Sequence, residues 1–258
     1  MLSNDLTIAA NLGSQLATIK IREAIRKISS GKKSSFGGGA DIALAHKLKA
    51  ESASNYAASL NLDDALAALR VTQVSLDEIA TLNQRLAELG ALNTNNSLLS
   101  TNDTASLNRE TASITTAIDN IVANTKYNNI ALMGTSDVNL SIGASPNGTN
   151  QLTITIGGIG SIASVTSASN ATSTSNTLKT SLANNQGQVS GGTAAAEARR
   201  NVTSTTAALL DAAAENKQNI DLAIETAKLT KNVLLNRVSL SLAAQANAIN
   251  SSKLDVLG

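Results

Sequence analysis

The chain has 258 residues, 42% of them hydrophobic, and its 20 Lys+Arg against 19 Asp+Glu give a net charge of +1, so it is long enough for a sizeable core but has no electrostatic footprint for nucleic acid or an anionic membrane. Aromatic residues make up 1%, namely Phe36, Tyr56 and Tyr127, so the core must be built from Leu, Ile, Val and Ala, which fill thin helical seams better than thick globular interiors. Cysteine is absent, which removes disulfides, thiolate nucleophiles and Cys-based metal sites together.

The opening "MLSNDLTIAANLGSQL" lacks the basic stretch, apolar run and small-residue cleavage site of a secretory signal, and no run approaches the ~18 apolar residues of a membrane span. Leu6, Ala9, Leu12, Leu16 and Ile19 recur at steps of three and four, followed by Ile21, Ile25 and Ile28, so this segment is expected to form a helix ending at "SSG", Ser29 to Gly31. "GKKSSFGGGAD" then reads as a flexible connector, with Asp41 the expected N-cap of the next helix. That helix is very long, and Leu62, Leu66, Leu69, Leu76, Ile79, Leu86 and Leu89 keep near-heptad spacing along it, interrupted by Gln73 and Asn83. After an Asn- and Ser-rich break from Asn93 to Asp103, a third helix carrying Leu107, Ile114, Ile118 and Ile121 is expected to fold back antiparallel.

The middle changes period. "VNLSI" and "LTITI" alternate apolar and polar residues around "GASPNGTNQ", where Pro146 fixes φ and Asn147-Gly148 suit a left-handed turn, so a β-hairpin is predicted. "SIASVTSASNATSTSNT", Ser161 to Thr177, is poor in large apolar groups and reads as a solvated surface. Helix is expected again from about Thr193. There Leu222, Leu229, Val233, Leu240 and Ala244 mark one face, and Leu235, Val238, Leu242 and Ala246 mark its neighbour. The combined stripe is too wide for one partner helix, so the ends of the chain call for partners outside it. The fold class expected is mainly α: an elongated antiparallel helical bundle or coiled coil with a small β-hairpin region.

Four segments in order, "AIRKISSGKK", "NQRLAELGALN", "AIDNIVANTKYNNIAL" and "SLAAQANAIN", resemble bacterial flagellin. The resemblance implies that residues 1–40 and 216–258 form the two halves of an inner coiled-coil domain, with Leu12, Leu16, Ile19, Leu229, Val233, Leu240 and Ala244 packing in the polymer core. It also implies that 41–160 and 192–215 form a rod domain that includes the hairpin, and that 161–191 is a short, variable, solvent-exposed segment. The implied function is a structural subunit that self-assembles into the extracellular flagellar filament, exported through the flagellar type III channel. Implied partners are other copies, a flagellin-specific export chaperone, and the filament cap and hook-junction proteins. In flagellins sensed by the vertebrate Toll-like flagellin receptor, an Arg and a Leu in a "QR...EL" segment and a Glu on the next helix make contact. Arg85, Leu89 and Glu110 stand at the matching places here, and the resemblance places them in a contact with that receptor or with a neighbouring subunit, although Ala87 replaces a basic residue often found there.

A hook-filament junction protein shares the same terminal logic and is the alternative reading. An enzyme is the competitor from another class. His46 is the only histidine, so paired-histidine metal centres are excluded, and neither a G-x-S-x-G elbow nor a G-x-x-x-x-G-K phosphate loop occurs. Asp63-Asp64 and Asp77-Glu78 are adjacent in sequence and diverge around a helix by about 100°. No catalytic residue, cofactor or metal ligand is expected.

Overall fold

The computed structural model describes residues 2–33, 35–94, 97–146 and 148–257, with side chains at 2–4, 35–38, 250 and 253–257 left aside. Five helices and four strands follow in the order α1 (Leu2–Ser30), α2 (Ser35–Thr94), α3 (Thr101–Asn124), β1 (Lys126–Tyr127), β2 (Ile130–Ala131), β3 (Val138–Gly143), β4 (Gln151–Ile156), α4 (Ala168–Gln218) and α5 (Leu222–Leu257). The strands make two separate antiparallel pairs, β1 with β2 and β3 with β4. The chain divides into two compact units: Met1–Ala50 with Leu209–Gly258, and Glu51–Ala208.

The second unit is a bundle of α2, α3 and α4 with the β3–β4 hairpin packed on it. Leu69, Leu76, Ile79, Leu86 and Leu89 of α2 are buried with Ile114, Ile118 and Val122 of α3, Leu178, Leu182 and Val189 of α4, and Ile154 and Ile156 of β4. Leu62 and Leu66 continue the seam against Ala144 and Ala196. The near-heptad leucines read from the sequence thus form the core, and α3 runs back along α2 as expected, with Glu110 on Arg85 and Thr125 on Ser75. Asn83 breaks the apolar seam and answers it with polar groups: its Nδ2 donates to the Ser175 carbonyl, and the Ser175 hydroxyl donates to its own carbonyl, each at 3.2 Å. A buried polar pair of this kind fixes one register between two helices, because sliding either one strands the partner without a hydrogen bond.

Helix α3 starts at a capping box in which Ser100 and Asp103 exchange side-chain and backbone bonds. The β3–β4 hairpin pairs Val138 with Ile156 through to Gly143 with Gln151, and Gly148 takes a φ of +65 in its turn; Asn147 lies outside the described residues. The short β1–β2 hairpin went unread in the sequence. Its two turn residues, Asn128 and Asn129, both have positive φ, the arrangement of a tight hairpin turn that asparagine tolerates.

Two expectations are corrected. The connector is shorter than "GKKSSFGGGAD": α2 begins at Ser35, so Asp41 is not its N-cap. Asp41 accepts from the Lys33 ammonium at 2.7 Å, and that hydrogen bond holds its carboxyl below the usual carboxylate range. The chain at Gly31 to Lys33 is occupied by backbone bonds to the α4–α5 junction, Lys33 N donating to Gln218 O and Ile220 N to Gly31 O.

The stretch from Ser161 to Thr177 is not a solvated coil. Asp119 gathers the Ser161 hydroxyl and the Ile162 and Ala163 amides, Asn108 accepts from the Ala168 amide, and α4 runs from Ala168. Ala168, Ala171, Ser175, Leu178, Leu182, Asn185 and Val189 are all buried. They recur at three and four residues, a helical seam written mostly in small side chains. Helix therefore returns some 25 residues before Thr193.

Small residues in these seams permit close approach, and two substitutions test it. A Cβ at Gly90 would lie 2.6 Å from the Thr172 amide nitrogen, so Gly90→Val is expected to cost about 1–3 kcal/mol through overpacking. Leu76→Ala, which empties a fully buried site, is expected to cost about 2–5 kcal/mol. Chemical denaturation followed by circular dichroism measures both, and parent-like midpoints would contradict this packing. A second expectation concerns pH. Since the Asp41 pKa is lowered, the Lys33–Asp41 pair contributes fully above the unfolded carboxylate pKa and is lost only as pH falls through the lower folded value. NMR titration of the Asp41 carboxyl checks it, and a midpoint at or above the ordinary aspartate value would count against the pairing.

Candidate functional site

The first unit contains α1 and α5, paired antiparallel. Ser14 Oγ donates to Asn236 Oδ1 at 2.7 Å, Gly13 faces Ser239, and Lys27 meets Glu225 at 3.7 Å. The fully buried residues of the pair are small or polar, with Ile21, Ile28, Leu229 and Val233 half-buried beside them. On α1, Ala10, Ala17 and Ala24 are buried at intervals of seven; on α5, Glu225 and Ala246 are buried, with Asn232 and Ser239 half-buried at the same heptad step between them. Side chains this small let two helices close to the short end of the 8–10 Å range of interaxial distances.

That choice leaves the large side chains outside. Leu6, Leu12, Leu16, Ile19 and Ile25 of α1 are 45–60% exposed, and Leu234, Leu235, Val238, Leu240 and Leu242 of α5 are 41–56% exposed. The pair is inverted relative to an ordinary soluble coiled coil: its fully buried positions are small or polar, while many of its leucines and isoleucines face out. Of the residues assigned to a polymer core, Leu12, Leu16, Ile19, Leu240 and Ala244 are exposed, and Leu229 and Val233 are half-buried. Ala246, read as part of the outward stripe, is instead fully buried.

In the second unit Arg85 Nε donates to Glu110 at 2.7 Å and its Nη1 to Glu88 at 2.9 Å. These hydrogen bonds to two carboxylates raise the guanidinium pKa further above its already high value. Arg85 and Glu110 are close to half-exposed, and the ion pair between them lies on the surface. Leu89 does not join them. It is 0% exposed, because the leucine seam that α2 turns toward α3 and α4 includes position 89, so its placement at a contact with another molecule is corrected: it is a core residue.

A cavity of about 400 Å³ between α2 and the hairpins is lined by Asn61, Asp64, Tyr127, Ile130, Leu140 and Ile142 among others, with Tyr127 donating to Asp64 at 3.4 Å. Among the described residues no three His, Cys, Asp or Glu side chains converge on a metal-sized space, and no helix is long and apolar enough to cross a membrane.

Residues 3–137, just over half of the chain, match the family model of the bacterial flagellin N-terminal helical region. The chain belongs to the bacterial flagellin family. It is a flagellin-type filament subunit, which places it in the extracellular flagellar filament. This flagellin is also similar to the crystal structure of Bacillus cereus flagellin, at 20% sequence identity and a TM-score of 0.38, over 58% of this chain and 87% of that one. Among curated proteins, none matches it.

The small-residue seam and the exposed leucines separate experimentally. Ala17→Leu, at a buried seam position, is expected to force α1 and α5 apart and cost the monomer about 1–3 kcal/mol. Leu16→Gln, one residue away and half-exposed, is expected to leave monomer stability within about 0.5 kcal/mol of the parent. Thermal unfolding of freshly dissociated monomer compares the two, and the opposite ranking would overturn this assignment of faces.

Proposed function

We propose that this flagellin is a main filament subunit whose copies assemble by burying the outward aliphatic faces of α1 and α5 against one another. The observation that carries this is the inversion of the α1/α5 pair. Fourteen large aliphatic side chains among the described residues stand 41–66% exposed on it, and covering the remaining area of each is worth about 1 kcal/mol. The sum is of the same order as the about 4–15 kcal/mol that association costs in lost freedom. A single pairwise contact is therefore marginal, whereas a subunit surrounded by several neighbours is held firmly. Such a balance favours addition to an existing filament over formation of dimers. A heterologous, non-closing contact repeated between copies yields an open helical polymer.

In this reading residues 1–40 and 216–258 serve as the inner, axis-lining part. Residues 41–160 and 192–215 serve as the rod, and 161–191 is the abbreviated counterpart of a variable outer region, here given a buried helical seam. An export chaperone that shields α5 before assembly, and cap and hook-junction proteins that meet the filament ends, fit the same exposed faces. Arg85 and Glu110 are proposed as an exposed contact for a neighbouring subunit or for a Toll-like flagellin receptor, with Leu89 supporting them from beneath. A junction role uses the same terminal helices; growth of long filaments from the purified chain alone favours the filament role, and short capped oligomers would favour the junction.

Deleting residues after Val238 removes Leu240, Leu242 and Ile249 and is expected to leave a soluble, largely helical chain that does not polymerise. Leu12→Gln with Leu240→Gln is expected to raise the critical concentration for seeded growth at least tenfold, the equivalent of about 1.4 kcal/mol. Electron microscopy and sedimentation of seeded samples read both outcomes, and normal filaments from the truncated chain would sink the proposal.

A further inference from the structure

The two hairpins belong to separate sheets: β3 pairs with β4, β1 pairs with β2, and no ladder joins them. Between them, against α2, lies the cavity of about 400 Å³, and five consecutive residues of β3, from Asn139 to Gly143, line it. The side chains of a strand alternate between its two faces, so a hollow on either face touches every second residue. One that touches five in a row runs along the backbone edge. Because β4 occupies the opposite edge over the whole length of β3, the cavity follows the edge that has no partner strand. The five residues extend about 14 Å at ~3.4 Å of rise per residue.

A free edge presents backbone N–H and C=O groups to any chain that can lie beside it, and natural sheets shield such edges with lysine, proline or a covering element. β3, VNLSIG, contains neither residue, and the cavity separates it from the β1–β2 hairpin. At the end of the strand the Asn61 amide of α2 donates to the Gly143 carbonyl at 3.2 Å. The rest of the lining is largely apolar: Ala65 and Ala68 of α2 and Leu132 after β2 are buried, while Ile130 stands 57% exposed. It carries one charge. Asp64 accepts from the Tyr127 hydroxyl at 3.4 Å, and among the described residues no lysine or arginine pairs with it, Arg200 being held by the neighbouring Asp63. The surrounding unit is acidic as well. Residues 51–208 carry seven Lys/Arg against eleven Asp/Glu, a net of −4, whereas 1–50 with 209–258 carry thirteen against eight, a net of +5.

We propose that the groove between β3 and the β1–β2 hairpin takes an extended peptide segment of another protein as an added strand, about four or five residues long, alternating apolar with polar side chains and including one lysine or arginine. Backbone bonds to the β3 edge supply the affinity, and alternate side chains reach Ala65, Ala68 and Leu132. The basic side chain meets Asp64 in a charge-assisted hydrogen bond. An acidic segment is disfavoured, because the lining has a carboxylate and no cation to set against it. The site lies within the second unit and does not rest on assembly through α1 and α5.

The probe is an acetylated and amidated hexapeptide that alternates valine with threonine and carries one lysine. It is compared with the same peptide bearing glutamate for lysine, and with a form whose amide nitrogens are methylated and cannot donate. Binding to freshly dissociated, isotope-labelled monomer is followed by calorimetry and by amide NMR shifts. One peptide per chain is expected to bind saturably, with shifts concentrated at residues 139–143, and the glutamate and methylated forms to bind about tenfold more weakly or worse. Asp64 is exposed, so Asp64→Lys should keep the parent's circular dichroism spectrum while reversing the preference between the lysine and glutamate peptides. No saturable binding, or shifts confined to other residues, would overturn the site. Equal binding of the methylated form would show a pocket for side chains rather than a strand edge, and an unchanged preference in Asp64→Lys would remove the basic residue from the proposal. Sedimentation of the parent without peptide supplies the last arm: dimers that the peptide dissociates would mean that the edge takes a second copy of this chain, which overturns a foreign strand as its occupant.

Discussion

Close contact between small side chains governs this molecule. Ala10, Ala17 and Ala24 on α1 and a heptad of Glu225, Asn232, Ser239 and Ala246 on α5 hold the most buried positions of the pair, and with the seam occupied by such residues most leucines and isoleucines of both helices stay at least half-exposed. A larger residue in the seam would hold the helices apart, and the apolar area that the pair does not bury between its own helices stays on the surface of this unit.

The second unit applies the same device to a different end. Helix α4 packs on the bundle through Ala168, Ala171 and Ser175 over its first turns before Leu178 and Leu182 take over, and Gly90 of α2 meets Thr172 at a distance no larger residue tolerates. Here, however, α2 turns its leucines inward, and the core closes within the chain. Polar insertions such as Asn83 with Ser175 supply the register that smooth apolar seams lack. One unit buries its large aliphatic residues within the chain, and the other leaves many of them exposed.

Electrostatics follows the same division. The counts of +5 and −4 cancel in the total, which is why the composition gave no hint of a basic surface. Glu225, buried between two lysines at the start of α5, neutralises part of that charge internally.

Much of this was legible in the sequence, because periodicity in large aliphatic residues is a strong signal. The leucines from Leu62 to Leu89, the antiparallel return of α3 and the alternating strands at Val138 and Leu152 all stand where their spacing put them, and the terminal helices announced themselves by apolar stripes too wide for one partner. What the sequence could not resolve were contacts made by residues with little hydrophobicity to register. The seam of α4 repeats at threes and fours from Ala168 but is spelled in Ala, Ser and Asn, so it resembled a solvated coil. Leu89 matched a surface motif yet belongs to the interior, because the face a helix turns inward is settled by what packs against it. Only the tertiary structure decided which apolar stripe of α1 and α5 is used within the chain, and it selected the alanines, since close approach of two helices rewards small side chains and turns the large ones outward.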